Sequence, residues 1–171
     1  MKRTRTKITY LEMRSPAWAA VGELVAEATI DRINRPDVAS YRADYHRVGG
    51  DYQWIERTMF SDDKLRQLLH DDRVDVYRFY VRGVAAGFGE LDRRTPGQVE
   101  LAYFGLFPEF IGQGWGKCFL SRIIAEAWSH GPERVWVHTC DMDHAAALPN
   151  YLRAGFRVYD ERVIEQAIPG T

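Results

Sequence analysis

Apolar and polar positions alternate along Lys7 to Met13, with Ile8, Tyr10 and Glu12 on one side and Thr9, Leu11 and Met13 on the other, which predicts a first strand. Ser15-Pro16 then reads as a helix cap with proline in the first turn. From Trp18 to Ile33, the residues Val21, Leu24, Val25, Ala28 and Ile33 return at helical spacing and predict an amphipathic helix. Arg35-Pro36 breaks that pattern, and Asp37 caps a second helix through Tyr45 that ends at Gly49-Gly50. Ser61 to His70 has the form of a short capped helix, with Leu65, Leu68 and Leu69 on one face. Period-2 patterning then takes over. Val74 to Val81 reads as a strand, Arg82-Gly83 as a tight turn, and Ala85 to Leu91 as a strand weakened by Gly87 and Gly89. Thr95-Pro96-Gly97 turns the chain into a third strand of a meander, from Val99 through the apolar run Leu101 to Phe107, which Pro108 stops. A helix from Trp115 to Trp128 buries Phe119, Leu120, Ile123, Ile124 and Ala127, and His130-Gly131-Pro132 ends it. Arg134 to Thr139 is a strand reached by a helical crossover, hence parallel to its predecessor. Ala145 to Ala154 is a short helix closed by Gly155, and Phe156 to Ile164 is the last strand.

A chain of 171 residues with 46% hydrophobic and 27% charged residues has the balance of one globular domain, and residues 1–171 are read as a single unit. A formal net charge of -1 gives no general attraction to nucleic acid or to an anionic membrane, so neither is expected as a partner. The opening MKRTRTK is basic, but no apolar segment of signal-peptide type follows, and it reads as a solvated lead-in to the first strand. No run approaches transmembrane length. Cys118 and Cys140 both lie in apolar segments and form neither a disulfide framework nor a metal cluster, which favours a reducing, cytoplasmic setting and no metal.

The chemistry concentrates between the third meander strand and the helix after it. Gly112, Gly114 and Gly116 alternate through a turn that opens the helix, so free backbone N–H groups and the positive end of the helix dipole face the same point. That arrangement suits a phosphate or pyrophosphate. A Walker A loop would require glycine where Ile111 stands and a hydroxyl where Cys118 stands. A G-x-G-x-x-G fingerprint fails at Lys117 in one register and at Phe119 in the other.

Ile111-Gly112-Gln113-Gly114-Trp115-Gly116 resembles the [QR]-x-x-G-x-[GA] acetyl-coenzyme A motif of the GNAT (Gcn5-related N-acetyltransferase) superfamily, with Ile111 at the position usually held by Gln or Arg. Ala147-Leu148-Pro149-Asn150-Tyr151-Leu152-Arg153-Ala154-Gly155-Phe156 is similar to that family's A-L-x-x-Y-x-x-x-G-F segment, and the order of elements from Val74 to Ile164 agrees with its fold.

The resemblance implies an α/β architecture: a mixed, mostly antiparallel central sheet with a splayed parallel strand pair and flanking helices, the acyl-CoA N-acyltransferase fold. It implies acetyl-CoA as co-substrate. The pantetheine arm would lie against backbone near Leu106 and Phe107, and the pyrophosphate on the segment Ile111, Gly112, Gln113, Gly114, Trp115, Gly116 and Lys117. Within that segment Trp115 is either a core anchor or a ligand contact, and Lys117 either adds charge or is solvated. Tyr151 stands at the family's general-acid position. Glu100, eleven residues before Ile111, stands where histone-type members carry their base; Glu90 and His138 are rival bases. Asp143-His144 opens the segment where many members place an Asn near the cofactor. Cys118 reads as a packed residue, so direct transfer in a ternary complex is expected instead of a cysteine-bound acyl group. Tyr41 to Phe60 mixes aromatics with Asp44, Asp51 and Glu56, which fits either a cationic amine or a helix packing its rings. The implied activity is N-acetylation of a small-molecule or peptide amine. The alternative is a non-catalytic acyl-CoA-binding sensor or interaction module of the same fold, and a homodimer is compatible with either.

Overall fold

Burial follows the alternation of the strands closely enough to assign both faces of one sheet. In the computed structural model, which describes residues 2–16, 26–52 and 54–168, the strands are β1 (Lys2–Met13), β2 (Ala28–Ile33), β3 (Val74–Val81), β4 (Val84–Asp92), β5 (Gln98–Leu106), β6 (Arg134–Cys140) and β7 (Arg157–Ile168). The helices among these residues are α1 (Val38–Gly49), α2 (Asp62–Leu69), α3 (Trp115–Ser129) and α4 (Ala147–Arg153). The strands form a single sheet in the order β2-β3-β4-β5-β6-β1-β7, so the first strand is inserted between the last two. Every pairing is antiparallel except β5 with β6.

Two cores lie on opposite faces. On one, α3 packs Phe119, Leu120, Ile123 and Ala127 against Phe79, Leu91, Leu101, Val135 and Val137. The Phe79 and Phe119 rings stack there with centroids 4.7 Å apart. On the other, α1 and α2 pack Tyr41, Tyr45, Val48, Leu65 and Leu69 against Val74, Val76, Phe88 and Phe107. Both of these helices are capped as their sequences predict, Asp37 accepting from the Ser40 N–H and Ser61 from that of Lys64.

Two expectations are corrected. Ala28–Ile33 is a strand, not the end of a helix, because Ala28 and Ile30 face the core while Thr29 and Asp31 face solvent, a period of two that six residues can mistake for helical spacing. The rest of that expected helix, Trp18 to Val25, lies outside the described residues, as does the start of whatever Ser15-Pro16 would cap. The basic lead-in is likewise part of β1, which pairs with β7 from Lys2↔Ile168 onward and sets Lys7 3.2 Å from Glu161. The glycines of β4 do not shorten it: a Cβ on Gly89 would stand 2.4 Å from Ile123 Cδ1, so glycine is what lets α3 approach the sheet.

Two irregularities build an opening. The β5–β6 ladder lasts only three residues, Gln98 to Glu100 against Arg134 to Trp136, after which the strands part. On the other side of β5, Glu90 faces Tyr103 while Leu91 faces Leu101, so Ala102 is an extra residue in a bulge. A bulge bends its strand, and this one carries Tyr103 to Leu106 away from β6. No helix among the described residues is long and apolar enough to cross a membrane.

Candidate active site

The parted strands open a cleft of about 710 Å³ that reaches from the glycine turn to the loop after α1. At one end, Gly112 and Gly114 hold φ of +84° and +86°, and Gly114 directly precedes the first turn of α3. A Cβ at either glycine would meet nothing within 4 Å, so the space above the turn is open. Alternating left-handed residues aim successive N–H groups into one concavity, the geometry that takes an anion. Ile111, Gly112, Gly114, Gly116 and Lys117 line this end, together with Leu106 of β5. The bulged stretch of β5 offers its unpaired β6-facing edge alongside, which suits an extended ligand carrying amides. Turn and edge together therefore fit the diphosphate and the amide-bearing arm of a coenzyme A thioester.

Phe107, Gln113 and Trp115 do not line the cleft. The Phe107 ring is fully buried beneath the Arg47 guanidinium at 4.0 Å, and its N–H donates to the Ala86 carbonyl. The Gln113 amide donates to the Glu109 carbonyl, and Trp115 packs against the core beneath α3. Cys118 is buried, as its apolar neighbours lead one to expect.

Midway along the cleft stands Tyr151 of α4, only 6% exposed, with the Phe104 and Phe156 rings about it at 6.5 and 5.9 Å. Its hydroxyl has no hydrogen-bond partner among the described residues. Burial, with the Asp143 charge adding to it, raises its pKa well above the ordinary phenol value, so the group keeps its proton.

Across from it, His138 of β6 lines the cleft and Glu100 of β5 stands behind it, Nδ1 to Oε1 being 3.6 Å. The short parallel register that pairs Glu100 with Trp136 brings the two together. The neighbouring Glu100 carboxylate raises the His138 pKa against the opposing effect of burial.

The rival Glu90 stands behind the wall of the cleft. It is fully buried, accepts from the Tyr41 hydroxyl at 2.5 Å and from Arg57 Nη2 at 2.6 Å, and does not line the cleft. Burial pushes its carboxyl up, while Arg57 pulls it back and is itself held charged. Arg57 is the partner that sequence reasoning missed; an arginine in a loop carries no periodic signal of burial.

The loop after α1 forms the remaining wall. Trp54 Nε1 donates to Asp143 Oδ1 at 3.3 Å, joining this loop to the one after β6. Asp143 also accepts from Thr139 Oγ1 at 2.6 Å and from the Cys140 N–H at 3.0 Å, so three donors fix its orientation. Glu56, on the same loop as Trp54, accepts from the Tyr103 hydroxyl at 3.0 Å. No group of three or more metal-ligating side chains occurs among the described residues.

A model of the acetyltransferase (GNAT) family matches residues 22–156. No curated protein matches the chain. Among solved structures, the chain is similar to a functionally unknown conserved protein from Staphylococcus epidermidis, at a TM-score of 0.64 and 15% identity, covering 94% of this chain and 61% of that one. It is also similar to an aminoglycoside acetyltransferase from an uncultured soil metagenomic sample, at a TM-score of 0.61 and 15% identity over 78% of this chain and 90% of that one. The ribosomal-protein-S18-alanine N-acetyltransferase of Escherichia coli is similar at a TM-score of 0.58 and 19% identity, covering 76% and 77%. The chain thus spans 61% of the Staphylococcus protein's length, and the fold is what these likenesses share.

Proposed function

Because the chain belongs to the GNAT acetyltransferase family, we propose that it moves acetyl from acetyl-CoA to a primary amine by direct transfer in a ternary complex. The observation that carries this reading is one cleft lined by the anion-binding turn, by Tyr151 with its unpartnered hydroxyl and by His138, behind which Glu100 stands without lining the cleft itself. When bound, acetyl-CoA supplies an acetyl group activated as a thioester. The residues Leu106, Ile111, Gly112, Gly114, Gly116 and Lys117 hold it, the turn through backbone N–H groups, so Ile111 in place of Gln or Arg removes one side-chain anchor and leaves the amides. Tyr151 holds a proton for the leaving sulfur. His138 takes the proton that the substrate ammonium must lose, and Glu100 orients it and stabilises its charged form.

The first test is a screen of amines with acetyl-CoA, read by mass of the product, alongside calorimetry with coenzyme A. Acetylated product and saturable binding support the reading; no coenzyme A binding at millimolar ligand overturns it. Turnover without an effect of Tyr151 and Glu100 substitutions would instead remove the residue assignments. Coenzyme A binding without turnover of any amine favours the sensor alternative.

Two further outcomes are expected. In Gly114→Ala, a residue that disfavours φ near +86° must adopt it, at a cost of about 1–2 kcal/mol. Coenzyme A should then bind about tenfold more weakly, seen by calorimetry, with little change in amine KM once the cofactor saturates. The second concerns pH. If neutral His138 is the base, kcat/KM rises with pH through the His138 pKa, which lies above the ordinary imidazole value because Glu100 stands beside it. Glu100→Gln removes that charge, so the acidic limb of the pH profile should move to lower pH. A limb that stays in place assigns the inflection to another group.

A further inference from the structure

We infer that the acceptor end of the cleft selects a hydrophobic monoamine, a single ammonium on an aromatic or aliphatic body without a carboxylate; this rests on the transferase reading above. The wall there is aromatic. Tyr45, Trp54 and Tyr103 form a cluster with centroids 5.0 to 5.5 Å apart, and all three line the cleft. The cluster is held from behind: a Cβ on Gly49 would stand 2.3 Å from the Trp54 ring, so the loop lies directly on the end of α1. A carboxylate stands at each side of the ring pair, Glu56 bonded to the Tyr103 hydroxyl and Asp143 to the Trp54 N–H.

The two carboxylates are not equivalent. Asp143 already accepts three hydrogen bonds, which leaves it little capacity and makes it a fixed strut. Glu56 accepts from the Tyr103 hydroxyl at 3.0 Å on one oxygen and from Arg57 Nη1 at 3.5 Å on the other, and keeps a side chain that is 68% exposed. Long on the arginine side and open to solvent, it is the carboxylate with room to meet an ammonium, with the faces of Trp54 and Tyr103 beside it for cation–π contact. The nine-tenths-buried Tyr151, unpartnered and facing the same cleft, marks where the reacting end of such a ligand must arrive.

The cations of the lining decide the rest of the selection. Lys117 belongs to the phosphate end, and no arginine lines the cleft among the described residues; Arg57 is buried, its Nη2 on Glu90 and its Nη1 on Glu56, so its charge is already paired with those two carboxylates. A carboxylate next to the substrate amine would therefore be desolvated beside Glu56 and Asp143 with only His138 and His144 near, a pairing that disfavours amino acids. A polyamine gains one good partner and must bury its other charges against rings and apolar side chains.

The test compares 2-phenylethylamine with phenylalanine, which differ by one carboxylate, and with spermidine and a neutral dipeptide. Binding to the protein with and without coenzyme A is measured by calorimetry, and turnover by product mass. The expected result is 2-phenylethylamine bound and acetylated at least about tenfold better than each of the other three, with Glu56→Gln weakening its binding about tenfold or more at unchanged coenzyme A affinity. Equal or better binding of phenylalanine, spermidine or the dipeptide overturns the inference, and so does an undiminished affinity in Glu56→Gln that keeps the wild-type Tm. Selective binding of 2-phenylethylamine without its acetylation upholds the site and overturns the transferase reading instead.

Discussion

Tyr151→Phe is expected to lower kcat by about 10²–10⁴-fold, the range lost when a positioned general acid is removed, with coenzyme A affinity unchanged. The substitution deletes one oxygen from a ring enclosed by Phe104 and Phe156, so packing is preserved. It breaks no bond either, because the hydroxyl has no partner among the described residues. The hydroxyl opens on the cleft and gives up no protein bond, so the Phe variant should melt at about the same temperature as the parent. That combination, a large loss of rate with no loss of stability, separates a proton donor from a packing residue. The pH profile sharpens it. Burial raises the Tyr151 pKa, so the parent keeps its acid protonated well into the alkaline range and activity should show no decline there from this group. An unchanged kcat in Tyr151→Phe, measured with saturating amine, would return the tyrosine to the wall of the cleft.

The elements that carry local periodicity were legible in the chain, and those made by long-range contact were not. The β3, β4 and β5 meander and the long helix α3 announce themselves through alternation or a 3.6-residue stripe, and their observed limits lie within a residue or two of those read from the pattern. The strand β2 was missed because Ala28 and Ile33 also continue the helical spacing of Val21, Leu24 and Val25. The glycine turn was legible since its chemistry lies within six consecutive residues. The pairing of Glu100 with His138 was not: both were singled out, but their approach depends on a parallel register of three residues. The tie between Trp54 and Asp143, 89 positions apart, exists only because two loops meet over the parted strands. The surroundings of Glu90 were not legible for a related reason. A carboxylate in a strand suggests chemistry until its partner is known, and that partner lies in an irregular loop.

That partner leads to the largest expected change in stability. Arg57→Met leaves the Glu90 carboxylate fully buried with only the Tyr41 hydroxyl bonded to it, and losing one member of a buried pair costs about 3–5 kcal/mol. For a chain of this size each kcal/mol shifts Tm by about 2–4 °C, so a fall of roughly 6–20 °C is expected by thermal denaturation. Glu90→Leu alone should be similarly costly, since it strands the guanidinium. Combining the two with Tyr41→Phe removes the three side-chain polar groups that bond one another here, leaving the exposed Glu56 to solvent, and should recover most of the loss, because an apolar replacement of a buried pair is often neutral or better. Additive losses in the combined variant would show that the three groups act independently. Function should not recover with stability. Arg57 lies over the Tyr103 ring at 5.0 Å and faces Glu56, so it orders the wall proposed to receive the amine. In the stable triple variant the amine KM should therefore stay raised while coenzyme A affinity is normal, because the glycine turn is at the other end of the cleft. On this expectation the buried ion pair adds no stability that leucine and methionine could not supply and contributes instead the position of the loop, and the split between Tm and KM measures that contribution.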